Sequence, residues 1–421
     1  YQELTELCLA ASHHQYRPSL ELRVRPDMPE QIWDLSWDAL ATGCGQPAFY
    51  NEPGYLAALS ESGLGIRAED IVLWNGGGCT ETMLHGCSNV GSLDAGFNLP
   101  LILSQTLDRV LGNPGITFIE VLQAFKADLS AVIREVAAEL NAYFAARARH
   151  RPQPVRSLLM DDCIDRGQDF NAGGARYNWS VLNVAGLANV ADSLEALREV
   201  VFTQAEISPG ELLAALRRDF TGSEALRQRL LHCAKFGNDI QSVDDLAAEI
   251  GGFVYREIMA QDCQRGGKFL PAHIMFETFA SAGRQVGATP DGRRAFQPLS
   301  DSTGPVQGRD ISGPTAMLKS VARLPQRLVA GTPVLNMSFS RQTIAQKESR
   351  QHVRALIETY FKLGGMQLQI SVFDRVELLD ALEHPELHEN LIVRIGGYST
   401  YFNWLSPELK QEVIHRTEYV V

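Results

Sequence analysis

The sequence predicts an α/β protein, and three observations carry that prediction. Residues 118–147 place Ile119, Leu122, Phe125, Leu129, Ile133 and Val136 at three- and four-residue spacing, the pattern of a long helix with one buried face. Short apolar runs at 70–74 (DIVLW), 366–372 and 391–395 have the length and composition of buried strands. The chain is 45% hydrophobic and 21% charged, which suits a globular protein with a sizeable core.

Taken in order, residues 55–62 read as a short helix and 70–74 as a strand. Asn75-Gly76-Gly77-Gly78 reads as loop, because three glycines weaken either regular element. Cys79 then stands at the end of a strand, at the tip of a tight turn. Helices are expected at 99–111 and 118–147, and a less regular one at 187–201 with Val190, Leu194 and Leu197 as its apolar positions. Residues 209–236 and 242–260 also read as helices. Residues 287–314 are rich in Gly, Pro, Asp and Ser and can form no regular element; so long a loop in a compact protein is often functional. A helix follows at 342–363. The strands at 366–372 and 391–395 flank a helix at 376–382. The last helix has a well-marked start: Ser406 as N-cap, Pro407 at its first position and Glu408 in the first turn. Gly396-Gly397 is thus expected at the tip of a loop between strand and helix.

Composition excludes several classes of function. The formal net charge of −12 disfavours nucleic acid or an anionic membrane as the main partner. No apolar run approaches the length of a membrane span. Seven scattered cysteines with no CxxC pair suit a reduced, cytoplasmic protein with mostly buried thiols. Cys79 and Cys87 flank His85, but no second ligand pair lies at zinc spacing, so no metal site is expected. Tyr1 is not an initiator methionine, and residues 1–11 lack the basic start and apolar centre of a signal peptide. The chain is expected to begin inside a larger unit.

Five segments share one resemblance. Arg394-Ile395-Gly396-Gly397-Tyr398-Ser399, continued through Asn403–Thr417, resembles the radical-bearing loop of the glycyl radical enzymes, the pyruvate formate-lyase-like superfamily. Asn75-Gly76-Gly77-Gly78-Cys79-Thr80-Glu81 looks like that family's Gly-Cys-x-Glu thiyl loop. Gly173-Gly174-Ala175-Arg176-Tyr177-Asn178 resembles one of its barrel segments. Gly287–Arg293 and Ser312–Ala316 resemble the run into its glycine radical domain. The resemblance implies the C-terminal half of a ten-stranded α/β barrel, with radical loop and thiyl loop meeting inside. It divides the chain into barrel residues 1–296 and a glycine radical domain at 297–421. Relatives are roughly twice this length, so much of the first half-barrel, with part of the substrate pocket, is expected elsewhere.

The chemistry explains these residue types. A backbone radical delocalises between amide nitrogen and carbonyl only at a planar α carbon, which a Cβ would crowd; the glycine before Tyr398, Gly397, matches the family's radical site. Cys79 matches the thiyl site, where an S–H bond close in strength to an activated C–H bond lets a hydrogen atom pass reversibly. Such a transfer needs near contact with both Gly397 and substrate. The resemblance assigns Glu81 as general base on a substrate hydroxyl, as in eliminating members. Thr80 stands where acyl-transferring members carry a second cysteine, which points to elimination. Asp94, matched with a shift of one residue, and His85 are candidate substrate-binding groups near the leaving group. The resemblance further implies no bound cofactor, a separate radical S-adenosylmethionine activase, a homodimer and oxygen-sensitive, anaerobic metabolism. Dehydration is the expected reaction, with C–N, C–S or C–C cleavage open. Two rivals stand beside it: a chain that carries the radical for another polypeptide without an active site of its own, and a cysteine hydrolase using Cys79 with His85 or His273.

Overall fold

A computed structural model describes residues 3–13, 17–78, 80–275, 278–395, 399–416 and 418–419. Cys79, Gly396, Gly397 and Tyr398 therefore lie outside the described residues. Twelve strands are described: β1 (Glu21–Val24), β2 (Ala48–Asn51), β3 (Trp74–Gly77), β4 (Glu81–Leu84), β5 (Ser88–Asn98), β6 (Tyr177–Ala185), β7 (Lys268–Ala272), β8 (Asn336–Phe339), β9 (Gln367–Val372), β10 (Ile392–Arg394), β11 (Ser399–Tyr401) and β12 (Glu418–Tyr419).

Two sheets build the scaffold. One has the order β5-β6-β7, all parallel; the other has the order β1-β2-β9-β8-β12. In the second, β9 runs parallel to β8 and antiparallel to β2. A parallel bridge between His273 and Pro333 joins the two sheets beyond the end of β7. The strands β5, β6, β7, β8 and β9 thus follow one another in a single direction, with β2 and β1 reversed beside them. The α/β class is as expected. No sheet among the described residues closes into a barrel: a barrel needs every strand hydrogen-bonded on both sides, and the larger sheet ends on β1 and β12 while β5 ends the smaller one.

Helices Leu99–Val110, Phe118–His150, Leu187–Leu197 and Gln241–Met259 pack on the parallel sheet and on one another. Every residue of β6 is buried, as befits a parallel strand covered on both faces. The long helix starts at a capping box, with Thr117 and Glu120 each holding the other's backbone N–H. It buries Phe125, Leu129 and Ile133 as expected and turns Ile119 to solvent. No helix among the described residues is long and apolar enough to cross a membrane.

Four expectations need correction. Residues 70–73 are not the expected strand, which starts only at Trp74: Ala68–Ile71 is a helical turn, because Asp70 is anchored by Arg67, Arg176 and the Tyr177 hydroxyl, and Val72 is exposed. Gly76 and Gly77 are strand rather than loop, for reasons of packing given below. The run at 209–236 is two helices, Pro209–Arg217 and Glu224–Leu231. Left-handed backbone at Asp219, Phe220 and Gly222 breaks it, and the Phe220 ring is buried there. The run at 342–363 likewise splits at Gln346, whose backbone is extended.

One buried carboxyl gives the fold a pH dependence. Asp244, in the helix Gln241–Met259, accepts a bond from Ser320 Oγ at 2.9 Å, and its second oxygen is buried without a partner. Burial pushes its pKa up to about 6, only partly opposed by Ser320 and by Arg323. An acid whose folded pKa is raised contributes least once the unfolded chain has ionised, so its stabilisation falls as pH rises from about 4 to about 6. Asp244→Asn cannot ionise. Its stability relative to the parent is expected to improve by about 1–3 kcal/mol between pH 4 and pH 8, read from denaturant melts at both pH values.

Candidate active site

Strands β3 and β4 form an antiparallel hairpin in register Gly77 with Glu81 and Trp74 with Leu84. Residues 78–80 make its tip, so Cys79 belongs to that tip in the chain. Gly78 takes φ +51, and the Thr80 N–H bonds the Gly77 carbonyl at 2.8 Å. Tertiary neighbours explain the glycines. A Cβ on Gly76 would stand 2.1 Å from the Glu21 carboxylate, and one on Gly77 would stand 2.2 Å from Met83 Sδ. These two are strand residues whose faces must stay bare.

Glu81, the expected base, is buried at 2% exposure and faces back toward the tip. Its Oε2 lies 3.5 Å from where a Cβ on Gly78 would be. Ser92 Oγ donates to its other oxygen. Ser92 belongs to a bulge in β5, where register with β6 shifts between Gly91 and Ala95 and Leu93 takes φ +50. The same bulge directs Asp94 to Ser180 Oγ at 2.6 Å and to the Arg265 guanidinium at 3.8 Å. Gly91 leaves room for that carboxylate. Glu81 and Asp94 are thus held by one short segment.

His85 is not at the tip. It is exposed and follows β4 at the opposite end of the hairpin, where its N–H bonds the Leu73 carbonyl. Antiparallel pairing itself moves it away, since each residue after Glu81 steps along the strand. Cys87 is also at that end, and burial pushes its thiol up to about 11. His273 is fully buried, with Nε2 2.7 Å from the Tyr255 hydroxyl, and burial holds its pKa down at about 4. Of the six described cysteines, five are buried and Cys8 is exposed.

The radical-loop motif forms a second hairpin. Strands β10 and β11 pair antiparallel with Arg394 opposite Ser399, leaving 395–398 as the connection. The expected strand-to-helix loop is therefore strand-to-strand, with the Ser406-capped helix Pro407–His415 coming later. Buried Arg416 holds the exit of β10, bonding the carbonyls of Arg394 at 2.8 Å and Ile395 at 3.2 Å while paired with Glu412 and Asp301. The turn before β2 supports the other side: Ser399 Oγ bonds the Cys44 carbonyl at 2.7 Å, and Gly45 lies against Arg394.

Glu21, which carries no sequence signal, sits between the two hairpins. Burial pushes its carboxyl above the usual range, against the Tyr50 hydroxyl at 3.1 Å, the Gly76 backbone and the Arg394 charge; the Glu81 charge pushes with burial. One carboxyl thus senses a residue three before Gly397 and a residue two after Cys79. Behind it, Tyr55 and Trp74 stack at 4.6 Å, and the Arg23 guanidinium lies 4.5 Å from the Trp74 ring centre.

Comparison with known proteins decides the family. The description Pyruvate formate lyase-like matches residues 1–279, and Glycine radical matches residues 299–403. The chain belongs to the glycyl radical enzyme family. Trans-4-hydroxy-L-proline dehydratase of Clostridioides difficile is 33% identical over 96% of the chain and 52% of its own length. Among solved structures, the B12-independent glycerol dehydratase from Clostridium butyricum superposes with a TM-score of 0.95 at 32% identity, covering 100% of this chain and 55% of that one. A structure of 1,2-propanediol dehydration in Roseburia inulinivorans gives a TM-score of 0.95 at 34% identity, covering 99% and 55%. This glycyl radical chain therefore spans about half the length of the relatives it matches.

Proposed function

We propose that the polypeptide carrying this chain is a glycyl radical lyase that eliminates water from a small hydroxylated substrate. The observation that carries the reading is the Glu81 carboxylate, buried and turned back against Gly78 beside the Cys79 tip. Dehydratases among the relatives, acting on hydroxyproline, glycerol or propane-1,2-diol, support the substrate class. C–S, C–N and C–C cleavage are the other outcomes a substrate panel would distinguish.

Cys79 gives its S–H hydrogen to the Gly397 α carbon and becomes a thiyl radical. The thiyl takes a hydrogen atom from a substrate carbon bearing a hydroxyl. Glu81 accepts that hydroxyl's proton, which speeds loss of the neighbouring group from the ketyl-like radical. The neighbouring hydroxyl leaves as water with one proton, matched overall by the proton that Glu81 took, and Asp94 is the nearest candidate to bind the leaving group. The Cys79 S–H then returns a hydrogen atom to the product radical and becomes the thiyl again. A radical S-adenosylmethionine activase removes the first hydrogen from Gly397, and a homodimer is the expected assembly. Residues 1–296 and 297–421 act as barrel and radical units.

Anaerobic activation is expected to give an electron paramagnetic resonance doublet that Gly397→Ala abolishes. A doublet that persists in Gly397→Ala sinks the assignment. A second reading is a chain that carries the radical for a complementing polypeptide. Turnover by the 421 residues alone would exclude it.

A further inference from the structure

We propose that Thr332 is a positioning residue for the Cys79 hairpin, acting through the peptide group between Thr80 and Glu81. The inference rests on the reading of Cys79 and Gly397 given above and adds a residue to it.

Thr332 lies in the segment that leads into β8, far from the hairpin in sequence. It is fully buried and takes φ +117, a region that β-branched residues rarely enter. Its backbone is pinned on both sides: its N–H bonds the Val329 carbonyl at 3.1 Å, and its carbonyl accepts the His273 N–H at 3.0 Å. That posture delivers the side chain to the hairpin. Thr332 Oγ1 donates to the Thr80 carbonyl at 2.7 Å. It lies 3.0 Å from Thr82 Oγ1 and accepts from the Tyr55 hydroxyl at 3.3 Å.

Proton counting fixes the direction of these bonds. A hydroxyl has one hydrogen and two lone pairs. A carbonyl can only accept, so the Thr332 hydrogen goes to Thr80. Thr82 and Tyr55 must then donate to Thr332. All three positions of this buried hydroxyl are used, and such a chain polarises its own members.

The peptide it grips joins Thr80 to Glu81, with Cys79 on one side and the Glu81 side chain on the other. Thr80 also takes a left-handed φ, +94, and its own hydroxyl is buried without a partner among the described residues. The side chain of Thr80 thus makes no polar contact with a described residue that would hold the turn. The grip comes from Thr332, and it fixes the peptide that joins residue 80 to Glu81 at the start of the strand that follows.

The test uses the activated polypeptide in deuterium oxide. The Cys79 S–H exchanges with solvent. Each transfer of hydrogen from Cys79 to Gly397 and back therefore admits deuterium at the glycine α carbon, and the resonance doublet collapses to a narrower line. Thr332→Val keeps the shape and removes the hydroxyl. It is expected to take up the radical to the parent's level and to slow the collapse about 10- to 100-fold, the cost of a small misplacement in atom transfer. Thr332→Ser restores the hydroxyl and is expected to exchange close to the parent's rate. A valine variant that exchanges at the parent's rate overturns the proposal. So does a serine variant that loses exchange as valine does, or a valine variant without the parent's thermal transition, which would make Thr332 a stability residue. Cys79→Ala separates the two ideas: exchange that persists without Cys79 sinks the thiyl assignment, whatever Thr332 does.

Discussion

Cys79→Ala, activated anaerobically, is expected to keep a full Gly397 radical and to lose turnover by about 10⁴- to 10⁶-fold, as when a covalent catalyst is deleted. On the proposed mechanism the two readouts part, because installing the radical would need only Gly397, whereas chemistry would need a hydrogen carrier between glycine and substrate. The described residues nearest in sequence cannot replace the thiol. The Thr80 O–H bond is too strong to give up its hydrogen to a glycyl radical. Cys87 lies at the far end of the hairpin, its thiol pushed up to about 11 by burial. Glu81→Gln is the companion. It keeps the shape and the Ser92 contact but cannot take a proton, so kcat is expected to fall about 10²- to 10⁴-fold with the radical intact. Quantifying the resonance signal beside turnover checks both, and a Cys79→Ala protein that still turns over overturns the mechanism.

The second large effect is on stability. Arg309 binds two buried carboxyls with one nitrogen, Asp192 at 3.1 Å and Asp291 at 2.9 Å. They share it unequally. Burial pushes Asp192 up to about 6, against Arg309 and Lys235. Burial also opposes ionisation of Asp291, but Arg309 together with Thr289, Asn189 and Arg293 holds its carboxyl below the usual range. These bonds tie the irregular stretch before the helix Pro314–Arg323 to the helix Leu187–Leu197. Arg309→Met removes the guanidinium that both buried carboxyls bond, leaving them to the more distant charges of Lys235 and Arg293. It is expected to cost about 3–5 kcal/mol at pH 8. The loss should shrink toward pH 5, where the carboxyls can take up protons instead. Denaturant melts of parent and variant at both pH values measure it; equal losses at pH 8 and pH 5 would contradict the electrostatic origin.

Features written locally were legible in the sequence. The Thr117 and Ser406 caps mark real helix starts, and the irregular stretch around 287–314 forms no regular element until the helix at Pro314. The Gly-Cys-x-Glu and Gly-Gly-Tyr motifs pointed to the family that comparison bears out. Features decided by distant neighbours were not legible. Gly76 and Gly77 read as loop by propensity, yet they are strand because Glu21 and Met83 occupy the space above them. Glu21 stands in an ordinary short strand with nothing to mark it. Thr332 follows a glycine and precedes a proline, which signals a turn but not a hydroxyl aimed at residue 80. His85 is close to Glu81 in sequence, but the extended strand between them carries it to the other end of the hairpin.

The sheet that carries β2 also has a consequence in time. Residues 48–51 lie between β1 and β9, and β9 is made some 320 residues later. At ribosomal rates of roughly 5–20 residues per second, β2 waits roughly 15–65 seconds for its partner. Throughout that interval the strand has one open edge, next to the turn that will seat the radical hairpin. Cells that make this protein must keep that edge from pairing elsewhere, so its yield should depend on chaperones and elongation speed more than its final stability suggests.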